Sequence, residues 1–206
     1  MSLEIYKSDW NLLKESIERR GVECLFHYTL AENFPSILKS GMLLSRKLMR
    51  EKGINPAIIH GWGSKKNDLE NYCCLGFIPP LAMLKKEEKS IILLSINVRV
   101  IGYEKTCFSP MNSAKSVIQS KDVMERTHLD AFDGLFKNHN SKYPVSPQSE
   151  VLVPNGISLK DIEFIYFNSK KEWKPYRWKW LKYKMKYFGN EIPKIEIDPS
   201  IFVYPV

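Results

Sequence analysis

Segments with strand-like and helix-like patterns follow one another in this chain without strict alternation, and this mixture constrains the fold more than any other feature. The strongest strand signal is Ile91–Ile101, which is rich in Ile and Val and carries Asn97 and Arg99 on the alternate face. A doubly wound α/β fold would place a helix after nearly every strand. The pattern therefore predicts an α+β fold, with mixed or antiparallel central sheets and flanking helices, in a single domain over residues 1–206.

Caps and breakers set the limits of the other predicted elements. Pro35 falls early in one helical segment, where its missing N–H matters least, and Gly41 fits the C-cap of that segment. Helices are predicted over Asp9–Arg20, Ala31–Ser40, Ser45–Lys52 and Val123–Phe136, and Ser8 is the predicted cap of the first one. Further strands are predicted over Cys24–Tyr28, Ile162–Phe167 and, interrupted by Pro199, Ile195–Val203. Loops are predicted over Asn55–Asn71 and His139–Pro147.

The composition argues against membrane insertion, secretion and zinc binding. Apolar residues make up 44% of the 206 residues, as in a globular protein, but they never form a run long enough to cross a membrane. Charged residues stand where a signal peptide would need an apolar core, so a cytoplasmic location is predicted. The cysteines show no Cys-x-x-Cys pair, so no metal site is predicted and the thiols are expected to be reduced: Cys24, Cys73, Cys74 and Cys107.

The net charge of +8 is concentrated in one segment near the C-terminal end. Lys170–Lys186 contains eight basic residues and one acidic residue, Glu172, interleaved with Trp and Tyr. Such a segment can hold a single nucleic-acid strand by stacking its bases and pairing its phosphates, and we select Lys174, Arg177 and Trp178 as the substrate contacts. The alternative is a helix that packs its aromatic residues on the core and solvates its lysines.

Two distant stretches each place polar residues at the end of a strand-like run: Phe26-His27-Tyr28-Thr29 and Gln148-Ser149-Glu150. Cleaving the N-glycosidic bond of a nicotinamide nucleotide develops positive charge on the ribose, which a fixed carboxylate such as Glu150 would stabilise. Hydrogen-bonding groups for the other ribose, a cation for the pyrophosphate and an aromatic ring for nicotinamide complete the requirements. His27 and Thr29 offer the hydrogen-bonding groups, and nearby Lys and Arg residues offer the cation. Tyr28, Tyr72 or Phe77 offers the aromatic ring.

The order of motifs along the chain is more specific than any one of these residues. The stretches that carry the resemblance are Leu25-Phe26-His27-Tyr28-Thr29, Asn33-Phe34-Pro35-Ser36-Ile37-Leu38, Gly41-Met42-Leu43-Leu44, Cys107-Phe108-Ser109-Pro110-Met111-Asn112-Ser113-Ala114 and Gln148-Ser149-Glu150-Val151-Leu152-Val153. Together they resemble the DarT-type DNA ADP-ribosyltransferases, in the family order, from about Leu25 to Phe167.

The resemblance implies a PARP-like ADP-ribosyltransferase fold that uses NAD as co-substrate and modifies a base in single-stranded DNA. It implies that Glu150 is the catalytic glutamate, that Gln148 helps to hold the acceptor, and that His27 and Thr29 hold the adenosine-side ribose and the nicotinamide end. It also implies a toxin whose partner is a macrodomain antitoxin.

One family feature is missing from this chain. The family carries a catalytic arginine in the loop before Tyr72–Pro80, where this chain has Lys65-Lys66-Asn67-Asp68. Lysine keeps the charge but loses the planar donor fork. Lys66 is therefore the first candidate to replace the arginine, followed by Arg46 and Arg50 from the preceding helix, and reduced or altered activity is the remaining alternative.

Three rival functions follow from the same observations. The first is the same transfer to RNA or protein, which charge alone does not separate from transfer to DNA. The second is a nucleic-acid-binding relic that has lost catalysis together with the arginine, and the third is a structural protein. NAD binding separates an enzyme from the relic, and the effect of replacing Glu150 separates it from a structural protein.

Overall fold

The computed structural model describes residues 5–57, 68–79, 90–112, 120–186 and 192–202. Its α-helices are α1 (Trp10–Arg20), α2 (Phe34–Ser40), α3 (Arg46–Glu51), α4 (Ser120–Met124), α5 (Leu129–Asp133), α6 (Lys170–Trp173) and α7 (Arg177–Lys186). Its strands are β1 (Cys24–Leu30), β2 (Met42–Leu44), β3 (Tyr72–Gly76), β4 (Ile91–Asn97), β5 (Cys107–Ser109), β6 (Glu150–Pro154), β7 (Gly156–Ser158), β8 (Ile162–Phe167) and β9 (Lys194–Ile197).

Within the described residues, seven strands form one sheet in the order β5-β6-β3-β1-β4-β8-β9, and β2 pairs with β7 beside it. All neighbours in the large sheet are antiparallel except β8 and β9, which are parallel. Helices pack against this sheet without alternating with its strands. The predicted α+β class is confirmed, whereas the extent of the domain over residues 1–206 stays a prediction.

The main core lies on one face of the large sheet. Because side chains alternate along a strand, Leu25, Leu75, Leu94, Val151 and Ile165 all point to this face, and each is fully buried. Burying one such side chain contributes about 1.5–3 kcal/mol to folding. The central strands are therefore held firmly, and polar residues at their ends are held with them.

Two predicted elements are shorter than the apolar pattern indicated. The strand predicted over Ile91–Ile101 ends at Asn97, because the Asn97 side chain accepts a hydrogen bond from the backbone N–H of Arg99 at 2.9 Å. That bond starts the 3₁₀ turn Val98–Gly102. A side chain at Gly102 would overlap the Trp10 ring, so the turn packs directly on α1.

The helix predicted over Val123–Phe136 is interrupted after Met124, where α4 ends; His128 is extended, and α5 begins after it and ends at Asp133. The carboxylate of Asp9 accepts a hydrogen bond from the backbone N–H of Leu129 at 2.8 Å and so caps α5. Asp9 rather than Ser8 is also the N-cap residue of α1, although its side chain makes no hydrogen bond to that helix. One aspartate thus joins two helices that are distant in sequence.

The other predicted helices and strands agree with the structure at their cores. Gly41 ends α2 in the left-handed region with φ of 71°, and Pro35 lies in its first turn. Ser45 caps α3. The strand predicted over Ile195–Val203 ends early, because β9 stops at Ile197 and Pro199–Phe202 form a 3₁₀ turn. The predicted loop over His139–Pro147 contains no helix or strand. Part of Asn55–Asn71, including Trp62, and Val203 at the end of the last predicted strand lie outside the described residues.

Arg20, at the end of α1, anchors the start of this loop. Its side chain is 1% exposed, donates to Asp133 at 2.8 Å and to the backbone carbonyl of Asn138 at 2.6 Å, and lies 4.2 Å from the centre of the Phe136 ring. The loop leads to Gln148 and Glu150, so this buried ion pair connects the core to the approach to the candidate site.

Where the chain is described, no helix is both long enough and apolar enough to span a membrane.

Candidate active site at an opening between two strands

The sheet opens between its two central strands. β1 pairs with β4 over all seven of its residues, and β3 pairs with β6 over all five. In contrast, β1 and β3 are in register at one position, Phe26 opposite Gly76. Beyond this pair the strands diverge, and residues Phe26 to Thr29 of β1 are only partly buried although the strand is central. The sheet therefore has an opening between these two strands.

The His27 side chain projects into this opening. Its Nδ1 atom lies 3.0 Å from the backbone carbonyl oxygen of Cys74 on β3. Because a carbonyl only accepts, Nδ1 carries the hydrogen of the neutral ring and Nε2 is left as an acceptor. Burial, together with the positive charge of Arg46, lowers the pKa of His27, so the ring is neutral at physiological pH. A neutral imidazole in this tautomer can accept a hydrogen bond from a ribose hydroxyl.

Thr29, two residues further along β1, is held by Asn33. The Asn33 amide nitrogen donates to the Thr29 hydroxyl at 2.9 Å and to the carbonyl of Ala57 at 3.0 Å. The Asn33 amide oxygen accepts from the N–H of Ala57 at 2.8 Å. One side chain thus fixes both a candidate ligand-binding residue and the segment before the loop that contains Lys66. The sequence contained Asn33 within a motif but gave no sign of this role.

Replacing Asn33 with alanine is expected to weaken NAD binding about tenfold, because the loss of three hydrogen bonds, each worth roughly 0.5–1.5 kcal/mol, releases Thr29 and the segment at Ala57. Asn33→Asp keeps the acceptor for the Ala57 N–H and loses the two donated bonds, so its affinity should be intermediate. Calorimetric titration with NAD measures both. Wild-type affinity in Asn33→Ala would show that Asn33 does not organise the site.

Glu150 begins β6 and faces the opening from the side of β3. It is 8% exposed and lies opposite both Ser109 and Gly76, so Ser109, Glu150, Gly76 and Phe26 form one row across four strands. Residues paired in a row point to the same face, and Gly76 contributes no side chain between Glu150 and β1. The row thus has no side chain between Glu150 and Phe26, and a Cβ at Gly76 would lie 3.1 Å from the backbone carbonyl oxygen of Ile78.

Tyr28 lies on the same face as Glu150, two residues after Phe26. Burial raises the pKa of the Tyr28 hydroxyl, and the negative charge of Glu150 raises it further, so the hydroxyl keeps its proton and the two side chains are close enough to interact. Ser149 fixes the start of β6, because its hydroxyl donates to the carbonyl of Pro110 at 3.1 Å. Gln148, immediately before it, is exposed beside the buried glutamate.

The candidate cations differ in position. The positive charge of Arg46, in the first turn of α3, acts to lower the pKa of both His27 and Tyr28, so Arg46 lies near these two residues. Arg50, one turn later, forms an ion pair with Glu70 at 2.5 Å. Lys66 lies outside the described residues, so its catalytic role stays a prediction. Among the described residues, Arg46 is the better placed of the two arginines to meet a pyrophosphate.

The aromatic residues predicted to stack on nicotinamide also differ in position. Phe77 is buried in the core against Phe132 and Phe136, with ring centres 6.3 and 5.6 Å away, so it does not face the opening and is no longer a candidate to stack on nicotinamide. Tyr72 is half-buried on the same face as Glu150, and burial raises its pKa to about 12. Tyr28 and Tyr72 remain the candidates. The sequence alone gave no sign that Phe77 is buried.

The basic aromatic segment combines the two predicted roles. Its inward rings pack on the core around Phe34 and Phe167: Trp173, Tyr176, Trp180 and Tyr183. Trp178 is instead 71% exposed, with the Arg177 guanidinium 5.9 Å from its ring centre, and Lys174 is exposed as well. The three predicted substrate contacts therefore lie at the surface, and their role stays a prediction. Tyr187 and Phe188 lie outside the described residues.

Nothing in the described part of the chain gathers three potential metal ligands, which are His, Cys, Asp or Glu side chains. Along β1, His27 alternates with Tyr28 and so points to the opposite face from Tyr28 and Glu150, with the two ring centres 6.3 Å apart. The arrangement therefore has a buried carboxylate and a phenol on one side of the break between β1 and β3, a neutral imidazole on the other, and a guanidinium near the imidazole and the phenol. These groups suit a cationic transition state on a sugar flanked by phosphates and an aromatic base.

Comparison with known proteins agrees with this chemistry. Residues 26–203 match the family model described as DarT, the ssDNA thymidine ADP-ribosyltransferase. A search of curated proteins gave no match.

Similar solved structures include the DarT of Thermus sp. 2.9 in complex with NAD⁺ (TM-score 0.55, 15% identity, covering 88% of this chain and 98% of that one). The same protein in complex with ADP-ribosylated ssDNA has a TM-score of 0.56 and 14% identity and covers 89% of this chain and 97% of that one. Thermosipho africanus DarTG in complex with ADP-ribose has a TM-score of 0.54 and 17% identity and covers 89% of this chain and 52% of that one. At these identities the structures show that the fold is shared.

The match to the family model extends from the His27 strand through Glu150 to beyond the basic helix α7. It confirms the predictions of an ADP-ribosyltransferase-like fold, of NAD as co-substrate and of a single-stranded DNA substrate. This chain belongs to the DarT family of single-stranded-DNA thymidine ADP-ribosyltransferases.

Proposed function

We propose that this protein transfers ADP-ribose from NAD to the base of thymidine in single-stranded DNA, with Glu150 as the catalytic carboxylate. The observation that carries the proposal is the position of Glu150, which is buried at the start of β6 and separated from β1 only by Gly76. His27 and Tyr28 lie across the same opening.

The ends of NAD are assigned by the chemistry of the groups around the opening. His27 and Thr29 bind the adenosine-side ribose and the nicotinamide end through their hydrogen-bonding atoms. Arg46 or Lys66 neutralises the pyrophosphate, and Tyr28 or Tyr72 stacks on nicotinamide. A neutral His27 suits this role because it places no second positive charge beside the developing oxocarbenium ion.

The reaction breaks the bond between nicotinamide and the ribose anomeric carbon. The bonding electrons pass to the nicotinamide ring and cancel its positive charge, while the carboxylate of Glu150 stabilises the charge left on the ribose. A nucleophilic atom of the base then bonds to the anomeric carbon, and its proton passes to Glu150. An unpaired base suits this step because no stacking or pairing has to be undone.

The acceptor strand is presented by groups around the entrance. Gln148 is exposed beside Glu150, where its amide can hold the base, and the loop at 139–147 leads up to it. Lys174, Arg177 and Trp178 provide charge and one exposed ring for the flanking nucleotides.

We further propose that the protein acts as the toxin of a toxin–antitoxin pair in the cytoplasm, where NAD and DNA are both present. A macrodomain that removes the modification is the proposed antitoxin. The support is family membership and the likeness to the DarTG structure with ADP-ribose.

The test is incubation of the purified protein with NAD and single-stranded oligonucleotides that differ only in containing or lacking thymidine, scored by mass spectrometry. We expect an ADP-ribose adduct on the thymidine oligonucleotide alone, and none on its duplex. If parallel reactions with RNA or protein gave the only adducts, the acceptor would be RNA or protein rather than DNA. Failure of NAD to raise the melting temperature would favour the nucleic-acid-binding relic.

A further inference from the structure

A lysine-rich groove runs between α2 and α7, outside the candidate active site. Its volume is about 310 Å³. The residues that line it are Pro35, Leu38 and Lys39 from α2, and Lys179, Lys182, Tyr183 and Lys186 from α7. We call this feature the lysine groove. Its floor is apolar, its rim carries four cations, and no acidic side chain lines it in the part of the chain that the structure describes.

Helical spacing explains why the lysines gather on one side of α7. Lys179, Lys182, Tyr183 and Lys186 are three or four residues apart, so they share a face. The next face is fixed to the core, because Trp180 is buried and stacks on Tyr183 with ring centres 5.8 Å apart. The rotation of the helix is therefore set by its aromatic residues, and the lysines are held towards α2 and Lys39.

Like charges at this spacing repel one another and weaken an isolated helix. The repulsion between the lysines is relieved by a ligand with negative charges spaced along a chain, which contacts several lysines at once and releases the counterions condensed on that ligand. A polyanion fits the lysine groove for this reason, whereas a single small anion would leave most of the repulsion in place.

An exposed aromatic ring beside the groove identifies the kind of polyanion. Trp178 lies four residues before Lys182, on the adjoining part of the helix surface, and is 71% exposed. Met185, seven residues after Trp178, is 70% exposed on the same side. A flat ring next to a row of cations is suited to a base next to its phosphates, and only an unpaired base can stack on it. An acidic protein would supply the charges but would not explain the exposed ring.

We propose that the lysine groove binds the phosphates of a single-stranded DNA segment that flanks the modified base, while Trp178 stacks on one of its bases. α2 begins directly after Asn33, which fixes Thr29, so the groove borders the helix that leads away from the candidate site. This inference rests on the proposed function, because it gives the same DNA strand a second point of attachment.

The test measures the binding of a fluorescently labelled single-stranded oligonucleotide to the full chain without NAD, by anisotropy over a range of salt concentrations. For Lys179→Gln/Lys182→Gln we expect about tenfold weaker binding and a slope of log affinity against log salt reduced by roughly 1.4, from two lost phosphate contacts. For Trp178→Ala we expect about tenfold weaker binding with the slope unchanged.

The matched control is Lys14→Gln/Lys160→Gln, which removes the same charge from exposed positions away from the groove. It should bind as the wild type does. If the groove variants and the control bind alike, the inference is overturned. It is also overturned if the groove variants lose binding to an acidic peptide such as polyglutamate but keep binding to DNA.

Transfer to a thymidine oligonucleotide, measured in parallel, separates the two proposals. A wild-type protein that modifies no DNA, combined with groove variants that lose DNA binding, would reject the proposed function and support the groove. Full transfer by the wild type, combined with unchanged DNA binding by the groove variants, would support the proposed function and reject the groove.

Discussion

Replacing Glu150 with glutamine is expected to lower the rate of ADP-ribose transfer by roughly 10²–10³-fold, the usual effect of removing one preorganised group that stabilises a charged transition state. Glutamine has nearly the same size, so the packing at the start of β6 is kept. What is lost is the negative charge opposite the developing oxocarbenium ion. The measurement is the single-turnover rate of adduct formation at saturating NAD.

Glu23→Gln is the matched control, because it removes an exposed carboxylate immediately before β1. It should keep the wild-type rate. NAD should still raise the melting temperature of Glu150→Gln, because the carboxylate acts mainly on the transition state. Equal rates for Glu150→Gln and the wild type would remove Glu150 from the mechanism, and equally slow rates for both variants would point to a general charge effect.

Replacing Asp133 with alanine is expected to lower the free energy of unfolding by about 3–5 kcal/mol, because it leaves a buried guanidinium without its counter-ion. Arg20 is 1% exposed and Asp133 is 21% exposed, so the buried guanidinium loses its counter-ion and keeps only its hydrogen bonds to uncharged groups, such as the carbonyl of Asn138. Urea denaturation measures the change. The double variant Arg20→Met/Asp133→Leu should recover most of the stability, because apolar side chains of similar volume remove the unpaired charge. A double variant as unstable as the single one would contradict this explanation.

The same ion pair predicts a pH dependence. Burial alone would raise the pKa of Asp133, but hydrogen bonds from Ser16 and Arg20 outweigh it and hold the pKa below its usual 3.8. A carboxylate whose folded pKa is depressed stabilises the protein above its unfolded pKa, and this contribution is lost as the pH falls through the folded value. Wild-type stability should therefore decrease below about pH 4 more than that of Arg20→Met/Asp133→Leu.

Local signals in the sequence were sufficient where a local interaction decides the structure. Gly41 predicted the end of α2, because a C-cap acts on its own helix, and the helix predicted from Ser45 begins one residue later. The start of α2 is at Phe34 rather than at Ala31, because Ala31–Asn33 form a 3₁₀ turn. The break at His128 could not be predicted in this way. The break depends on Asp9, which is distant from α5 in the sequence and accepts a hydrogen bond from the backbone N–H at the start of that helix.

Only those parts of the candidate site that depend on local signals could be predicted from the sequence. Glu150 begins β6, as the apolar run after it indicated, but His27 is the middle residue of β1 rather than the end of a strand, because β1 continues to Leu30. Burial of Phe77 depends on Phe132 and Phe136, and the role of Asn33 depends on the fold around Ala57. These contacts join segments that are distant in sequence, so no periodicity or motif could indicate them.

The divergence of β1 and β3 has a consequence for how this site tolerates evolutionary change. A ligand that enters between two strands meets main-chain atoms on both walls, as His27 already meets the carbonyl of Cys74. Main-chain groups are the same for every amino acid, so side chains of these strands that face neither the core nor the ligand can be exchanged without altering the walls. Selection then has to preserve only a few polar side chains and the width of the gap, and the remainder of the sequence can drift while the architecture persists.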